Sequence, residues 1–244
     1  MKFDIQWFDR VNSTNELMKD HISSGKKIDN RTIFATHEQV SGHGRLKRKW
    51  ISSSHTNLCF SIYIESKKSL NHIPSLTMAG ALGICDFLKS KNIKAKVKWP
   101  NDVIVNKKKI CGILSEHINS NLIEKSGLIL GIGLNVNMNL HESKQIDQPA
   151  TSMFLEKNII FSLEKTLYEI SEYLEFWILK WEFHEFRSLK KEWIDQTGPI
   201  GREIEVHDGE LVINGKFKGY GEYGELLIER NSKIKSIWAG EIPL

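Results

Sequence analysis

Residues 97–116 read VKWPNDVIVNKKKICGILSE, and Lys109 and Gly112 stand inside an apolar run that reads as a strand. A lysine buried in a strand needs an anion to face. A glycine there weakens the strand, so either a bulge sits at Gly112 or something other than a side chain touches its backbone. Three positions apart, the two residues point to opposite faces of an ideal strand. A bulge or strong twist near the turn Asn106-Lys107-Lys108 would bring the ammonium round to the same ligand. GIGLNVN, residues 131–137, repeats the theme, with Gly131 and Gly133 opening the backbone and Asn135 offering an amide. Two glycine-opened strands imply a flat or narrow ligand lying on a sheet.

A second constellation is EQVSGHGRLKRKW, in which Gly42 and Gly44 are joined by Arg45, Lys47, Arg48, Lys49 and Trp50. Such a loop can offer backbone N–H and guanidinium groups to phosphates and an aromatic face to a base; a solvated loop has the same composition. It is not a Walker A loop, because G-x-x-x-x-G-K-[ST] occurs nowhere in the chain. Ser13 with Glu16 three residues on forms a capping box, and a capped helix start is also a polar corner where a ligand can bind. Gly219, Gly221 and Gly224 spell G-x-G-x-x-G but lie among hairpin signals, so they read as tight turns rather than a dinucleotide site.

These residues need elements to hold them. Helices are predicted where Ser13-Thr14 opens NELMKDHI, where Ser75 opens LTMAGALGICDFLK, and where Ser162 opens a stretch whose Leu163, Leu167, Ile170, Leu174, Trp177 and Trp181 form one helical stripe. Strand-like runs cover residues 3–8, 32–37, 57–64, 103–105, 109–116 and 128–134. The expected fold class is α/β (α+β), a mixed sheet with packed helices in a domain spanning 1–196. From 197 to 244 a small SH3-like β-barrel is expected, with hairpin turns at Asp208-Gly209 and Asn214-Gly215. With 244 residues and 40% hydrophobic content the chain can bury a sizeable core. No run of 18 apolar residues and no signal-peptide core is present, so a cytoplasmic protein without membrane contact is expected. Cys59, Cys85 and Cys111 show no C-x-x-C spacing and read as buried thiols, which leaves neither a disulfide framework nor a zinc site. The 34 basic and 30 acidic residues give a net charge of only +4, but the cations cluster at 42–50, 89–99 and 106–109. Such local potential suits a polyanion.

VNSTNELM, EQVSGHGRLKRKW, KWPNDVIVNKKKICGILSE and GIGLNVN, in this order, resemble the catalytic core of biotin protein ligases, and QPATSM at 148–153 and the terminal IWAGEIPL resemble the family as well. The resemblance implies an enzyme that activates biotin with ATP and Mg²⁺ to biotinyl-5′-adenylate, then transfers the biotinyl group to a lysine of a carboxylase's biotin carboxyl carrier domain. It implies that Lys109 meets the biotin carboxylate and the α-phosphate, and that Gly112 and Gly131 leave room for the bicyclic ring. Ser13, Thr14, Asn15 and Gln39 should hold the ureido end, and Gly42, His43, Gly44 and Arg45 should cover the ligand. Arg45, Arg48, Trp50, Lys98, Asn101 and Asn135 should meet the nucleotide, with Lys98 also counted as catalytic, and Asp102 should orient or deprotonate the incoming lysine. No resident metal ligand is assigned. The usual loop of the family reads GRGRxGRxW; His43 stands here where Arg is common and Lys47 where the third Gly is common. The resemblance further implies no winged-helix segment and no direct DNA binding. Lipoate or octanoate ligases share the core fold and form the alternative; a nucleic-acid binder using the basic loop is a second, marked by steep salt dependence.

Overall fold

The computed structural model describes residues 3–118 and 127–243. Its strands are β1 (Asp4–Val11), β2 (Thr32–Gln39), β3 (Asn57–Glu65), β4 (Lys96–Lys98), β5 (Asp102–Val105), β6 (Lys108–Ile118) and β7 (Gly127–Asn135) in one sheet, followed by β8 (Glu203–Asp208), β9 (Leu211–Tyr220), β10 (Leu226–Arg230) and β11 (Lys233–Ile237) in another. The helices are α1 (Thr14–Ser23), α2 (Ile73–Ser90), α3 (Leu140–Ser143), α4 (Met153–Lys157), α5 (Leu163–His184) and α6 (Lys190–Thr197).

The larger sheet runs β1-β2-β3-β7-β6-β5-β4. Its β1–β2 pair is parallel and the rest antiparallel, the mixed sheet that the strand-like runs predict. The two faces are covered differently. On one, Met18 and Ile22 of α1 pack against Phe34, Tyr63 and Ile129. On the other lie α2 and α5, whose stripe from Leu163 to Trp181 is buried as its spacing predicts. Arg31, fully buried ahead of β2, holds α5 to the sheet by donating to Glu175 at 2.9 Å and Glu182 at 2.7 Å.

Two expectations are corrected. Helix α2 begins at Ile73 rather than after Ser75, because Pro74 fits a first turn that needs no N–H. Ser75 donates its hydroxyl to the His72 carbonyl instead of capping. In the C-terminal unit the β8–β9 turn falls one residue on from the expected pair, at Gly209-Glu210 with Gly209 at φ 61°, because Asp208 ends β8 paired with Leu211; Asn214-Gly215 lies inside β9. Gly215 is required there by close approach: a Cβ would sit 2.4 Å from Ile228 and 2.6 Å from the Glu229 carbonyl. The β10–β11 turn falls at Asn231-Ser232, both with positive φ.

The smaller sheet runs β11-β10-β9-β8, and a bridge between His207 and Glu241 brings the chain after β11 back to β8, drawing the sheet towards a barrel. Its Ile204, Val206, Phe217 and Tyr220 join the same apolar core as Phe186 and Trp193. This unit is thereby packed against the larger one, beside the basic loop. All three cysteines are buried and free.

Candidate active site

Cross-strand register builds the floor of the site. Cys59 pairs with Gly133, Gly133 with Gly112, Gly112 with Asp102, and Asp102 with Lys98, so these five residues form one row across five strands with their Cβ positions on the same face. A parallel row holds Ser61, Gly131 and Leu114. The glycines keep this floor low where side chains descend on it. A Cβ on Gly133 would lie 2.4 Å from the Trp50 indole, and one on Gly131 would lie 2.2 Å from Asn15 Oδ1.

The parity problem at Lys109 is solved by a bulge. Val103 pairs with Cys111 and Ile104 with Lys109, which leaves Ile110 as the extra residue. Lys109 thereby joins the face of Gly112, and a Cβ on Gly112 would be 3.2 Å from its Nζ. The ammonium is 2.7 Å from Asp102 Oδ1, with both side chains about 15% exposed, and 5.7 Å from the Trp50 ring centroid. Gly112 itself stays in regular register, so of the two readings of this glycine the close approach holds and the bulge lies two residues earlier.

At the other end of the floor stands a polar cradle of buried groups. Gln39 Oε1 accepts from the Thr14 N–H at 3.0 Å, and the Ser61 hydroxyl lies 2.7 Å from Thr14 Oγ1 and 2.5 Å from Asn15 Oδ1. Asn15 Nδ2 donates to Glu116 Oε2 at 2.7 Å. Gly42 sits behind Gln39, where a Cβ would be 2.3 Å from the Gln39 amide.

Over this floor the basic segment folds as a tight hairpin. Trp50 N–H donates to the Gly42 carbonyl, His43 bridges Lys49, and a 3₁₀ turn spans Arg45–Lys47. Arg45 donates to Asn101 Oδ1 and to the Gly240 carbonyl, both at 3.4 Å, and Arg48 pairs with Glu241. Burial lowers Arg45 from the ordinary arginine value, with Glu241 and Asp102 opposing the shift. The cleft so formed has the cradle at one end and Lys109, Arg45 and Arg48 at the other. Burial pushes the Cys59 thiol up to about 11, so the floor cysteine is no nucleophile near neutral pH.

A pocket with hydrogen-bonding groups at one end and cations at the other fits an elongated ligand with a polar head and an acidic tail. Residues 7–135 match the model of the biotin/lipoate A/B protein ligase family. The chain belongs to this family. It is a ligase, and its fold is that of a biotin protein ligase from Aquifex aeolicus solved in complex with biotin and ATP (TM-score 0.81, 28% identity, covering 98% of this chain and 97% of that one). The bifunctional ligase/repressor BirA of Bacillus subtilis is 27% identical over 215 residues, 87% of this chain and 66% of that protein. The biotin--[acetyl-CoA-carboxylase] ligase of Paracoccus denitrificans is 24% identical over 211 residues, 84% and 87% of the two chains. The chain thus spans about two thirds of the Bacillus relative.

Of the residues that the family resemblance singles out, Ser13, Thr14, Asn15, Gln39, His43, Gly44, Arg45, Arg48, Trp50, Asn101, Asp102, Lys109, Gly112 and Gly131 line the cavity. Gly42, Lys98 and Asn135 do not. Lys98 continues the floor row to the sheet edge, and Asn135 gives its Nδ2 to the Thr151 carbonyl. Asn101 is held in place by donating to the Ile113 carbonyl at 2.9 Å. Trp50, expected as a stacking surface for adenine, rests its indole on Gly112 and Gly133. Sequence reasoning missed Ser61, Glu116, Lys19, Gln148 and Glu241. Ser61 in LCFSIYI and Glu116 at the end of an apolar strand are polar residues in apolar runs, a signal that register alone could convert into a place.

Proposed function

We propose that this ligase joins biotin to ATP as biotinyl-5′-adenylate, with release of pyrophosphate, and then passes the biotinyl group to a lysine of a biotin carboxyl carrier domain. The observation that carries the reading is Lys109, turned by the bulge onto the glycine floor opposite the polar cradle. Biotin's ureido group has two N–H donors and a carbonyl, which Ser13, Thr14, Asn15 and Gln39 can partner. Its bicyclic ring lies in the cleft between the cradle and Lys109, against the Asn15 and Trp50 side chains that rest on Gly131 and Gly112, and its carboxylate reaches Lys109. Adenylation brings that carboxylate against the α-phosphate, and Lys109, Arg45 and Arg48 supply fixed positive charge where negative charge converges. Lys98 adds a cation from the sheet edge, and Trp50 and Asn101 border the nucleotide; Asn135, expected there, is buried outside the cleft with its amide on the Thr151 carbonyl. Gly42, His43 and Gly44 close the cover. Asp102 is placed to orient the acceptor amine and to take its proton, since an ammonium cannot attack.

Among the described residues no three His, Cys, Asp or Glu are grouped to hold a metal. In this reading Mg²⁺ enters as MgATP, carried by the nucleotide's own phosphates. A lipoate or octanoate substrate is less favoured, because a linear acyl chain would leave the buried polar cradle without partners. Among the described residues no helix is long and apolar enough to cross a membrane.

The test is ATP/pyrophosphate exchange in three arms, with biotin, lipoate or octanoate as the acid. Exchange driven by biotin at micromolar concentration supports the reading. Exchange driven only by a linear acyl acid, or by none of the three, overturns it.

A further inference from the structure

The cradle is a chain of hydrogen bonds, and such a chain has a direction. Ser61 has one hydroxyl proton and two close partners, Thr14 Oγ1 at 2.7 Å and Asn15 Oδ1 at 2.5 Å. Taken alone, this geometry permits either direction: Ser61 can donate towards Thr14, or Thr14 can donate to Ser61 and Ser61 to Asn15. Which end of the Asn15 amide faces Ser61 decides between them. That end is set from outside the cradle, because Asn15 Nδ2 lies 2.7 Å from Glu116 Oε2, and an ionised carboxylate only accepts. With Nδ2 committed to Glu116, Oδ1 must face Ser61 and the Ser61 proton goes to Oδ1; the Thr14 proton then goes to Ser61 Oγ at 2.7 Å rather than to Gln39 Oε1, which lies at 3.4 Å and already accepts from the Thr14 N–H. Asn15 Oδ1 and Thr14 Oγ1 are then left with lone pairs towards the cavity.

We propose that Glu116 is a positioning residue that polarises this chain, so that the cradle presents acceptors to the N–H groups of the bound ligand. Lys19 is part of the device. It stands one turn after Asn15 on α1 and holds the other carboxylate oxygen, Oε1, at 2.6 Å. Glu116 and Lys19 are partly buried, with side chains 23% and 33% exposed. Glu116 does not itself line the cavity; it acts through Asn15, which does and which lies directly over Gly131.

The arrangement makes an unusual prediction for Glu116→Gln, which changes one atom. The ammonium of Lys19 demands an oxygen, so the new amide turns its Oε1 to Lys19 and its Nε2 to Asn15. The Asn15 amide must flip, and the whole chain reverses, presenting donors to donors. The inference rests on the biotin reading above, and biotin is its probe. In the exchange assay Glu116→Gln is expected to raise the KM for biotin about 30-fold or more, with kcat at saturating biotin and KM for ATP within about twofold of the parent. Replacing Lys19 with Met in the Glu116→Gln background removes the demand on the oxygen. Oε1 can then return to Asn15, and the biotin KM should recover to within about fivefold of the parent. Thermal unfolding of all three proteins separates this from a structural role, in which the melting temperature falls and the biotin KM does not move selectively. An unchanged biotin KM in Glu116→Gln, or a double variant no better than the single one, overturns the inference. If the parent protein itself shows no biotin-dependent exchange, the biotin reading fails instead.

Discussion

Lys109 and the floor glycines carry the sharpest expectations at the scale of single residues. Lys109 lines the cavity from a strand rather than a loop, so its charge is fixed before the reactants arrive. Lys109→Ala should slow biotin-dependent exchange at least 100-fold, about 3 kcal/mol, while biotin binding by calorimetry weakens less. Near-normal exchange would remove Lys109 from the chemistry. Gly133→Ala tests the floor from below. The new methyl would overlap Trp50 at 2.4 Å, and because the indole can leave whereas the sheet cannot, the loop should be displaced with the fold intact. The expected result is faster tryptic cleavage after Arg45 and Arg48 and at least a tenfold rise in the biotin KM. A loop as protected as in the parent would show that the indole does not need that space.

The element that decides retention of an intermediate is the basic hairpin at 42–50. It is fastened at three points: to the floor by Trp50, to Asn101 by Arg45, and to the C-terminal unit through Gly240 and Glu241. An acyl adenylate that escapes acylates stray amines, so a cover with cations suits this chemistry. Arg45→Gly removes the fastening to Asn101, the Gly240 half of that to the C-terminal unit, and a cation together. Adenylate should still form, be held for a shorter time, and label lysines of bystander albumin, as read by streptavidin blotting alongside the half-life of the enzyme-bound adenylate. Unchanged retention with unlabelled albumin would move the covering role to His43 or Arg48.

At the scale of the whole molecule, one continuous apolar core runs from the larger sheet through Phe186 and Trp193 into the C-terminal strands; Cys85 and Cys111 are sealed in it, and Cys59 is buried in the floor of the site. Burial raises the Cys59 thiol from 9.0 to about 11, and Cys85 and Cys111 are raised in the same direction for the same reason. A thiol whose folded value is raised keeps its proton in the fold while the unfolded chain loses it. Stability is therefore unaffected below about pH 9 and falls as pH rises above it, by about 1.4 kcal/mol per pH unit for each thiol still protonated. Urea midpoints measured from pH 8 to 11 should drop steeply above pH 9, and less steeply in Cys59→Ala. Native protein at pH 8 should not react with a thiol reagent until it unfolds. A flat profile would mean that these thiols are not sealed.

Much of this was legible in the sequence. The three long helices, the strands of the mixed sheet other than β4 and a turn within one residue of Asp208-Gly209 follow from local spacing, because periodicity and turn chemistry act over a few residues; Ser13, Thr14, Asn15 and Gln39 of the cradle and the covering loop follow from the family's motifs. The sequence also determined that Lys109 and Gly112 belong to one strand. It could not say that they share a face, since that depends on one extra residue, Ile110, relative to a partner strand whose register is set by the turn and by packing. For the same reason Asn214-Gly215 was read as a turn: the pair looks alike whether glycine is needed for positive φ or for the approach of β10. Glu116 was invisible as part of the site because it meets Asn15 across 101 residues. Such contacts belong to no local pattern; only closing the sheet and docking α1 on it brings the carboxylate to the amide that it orients.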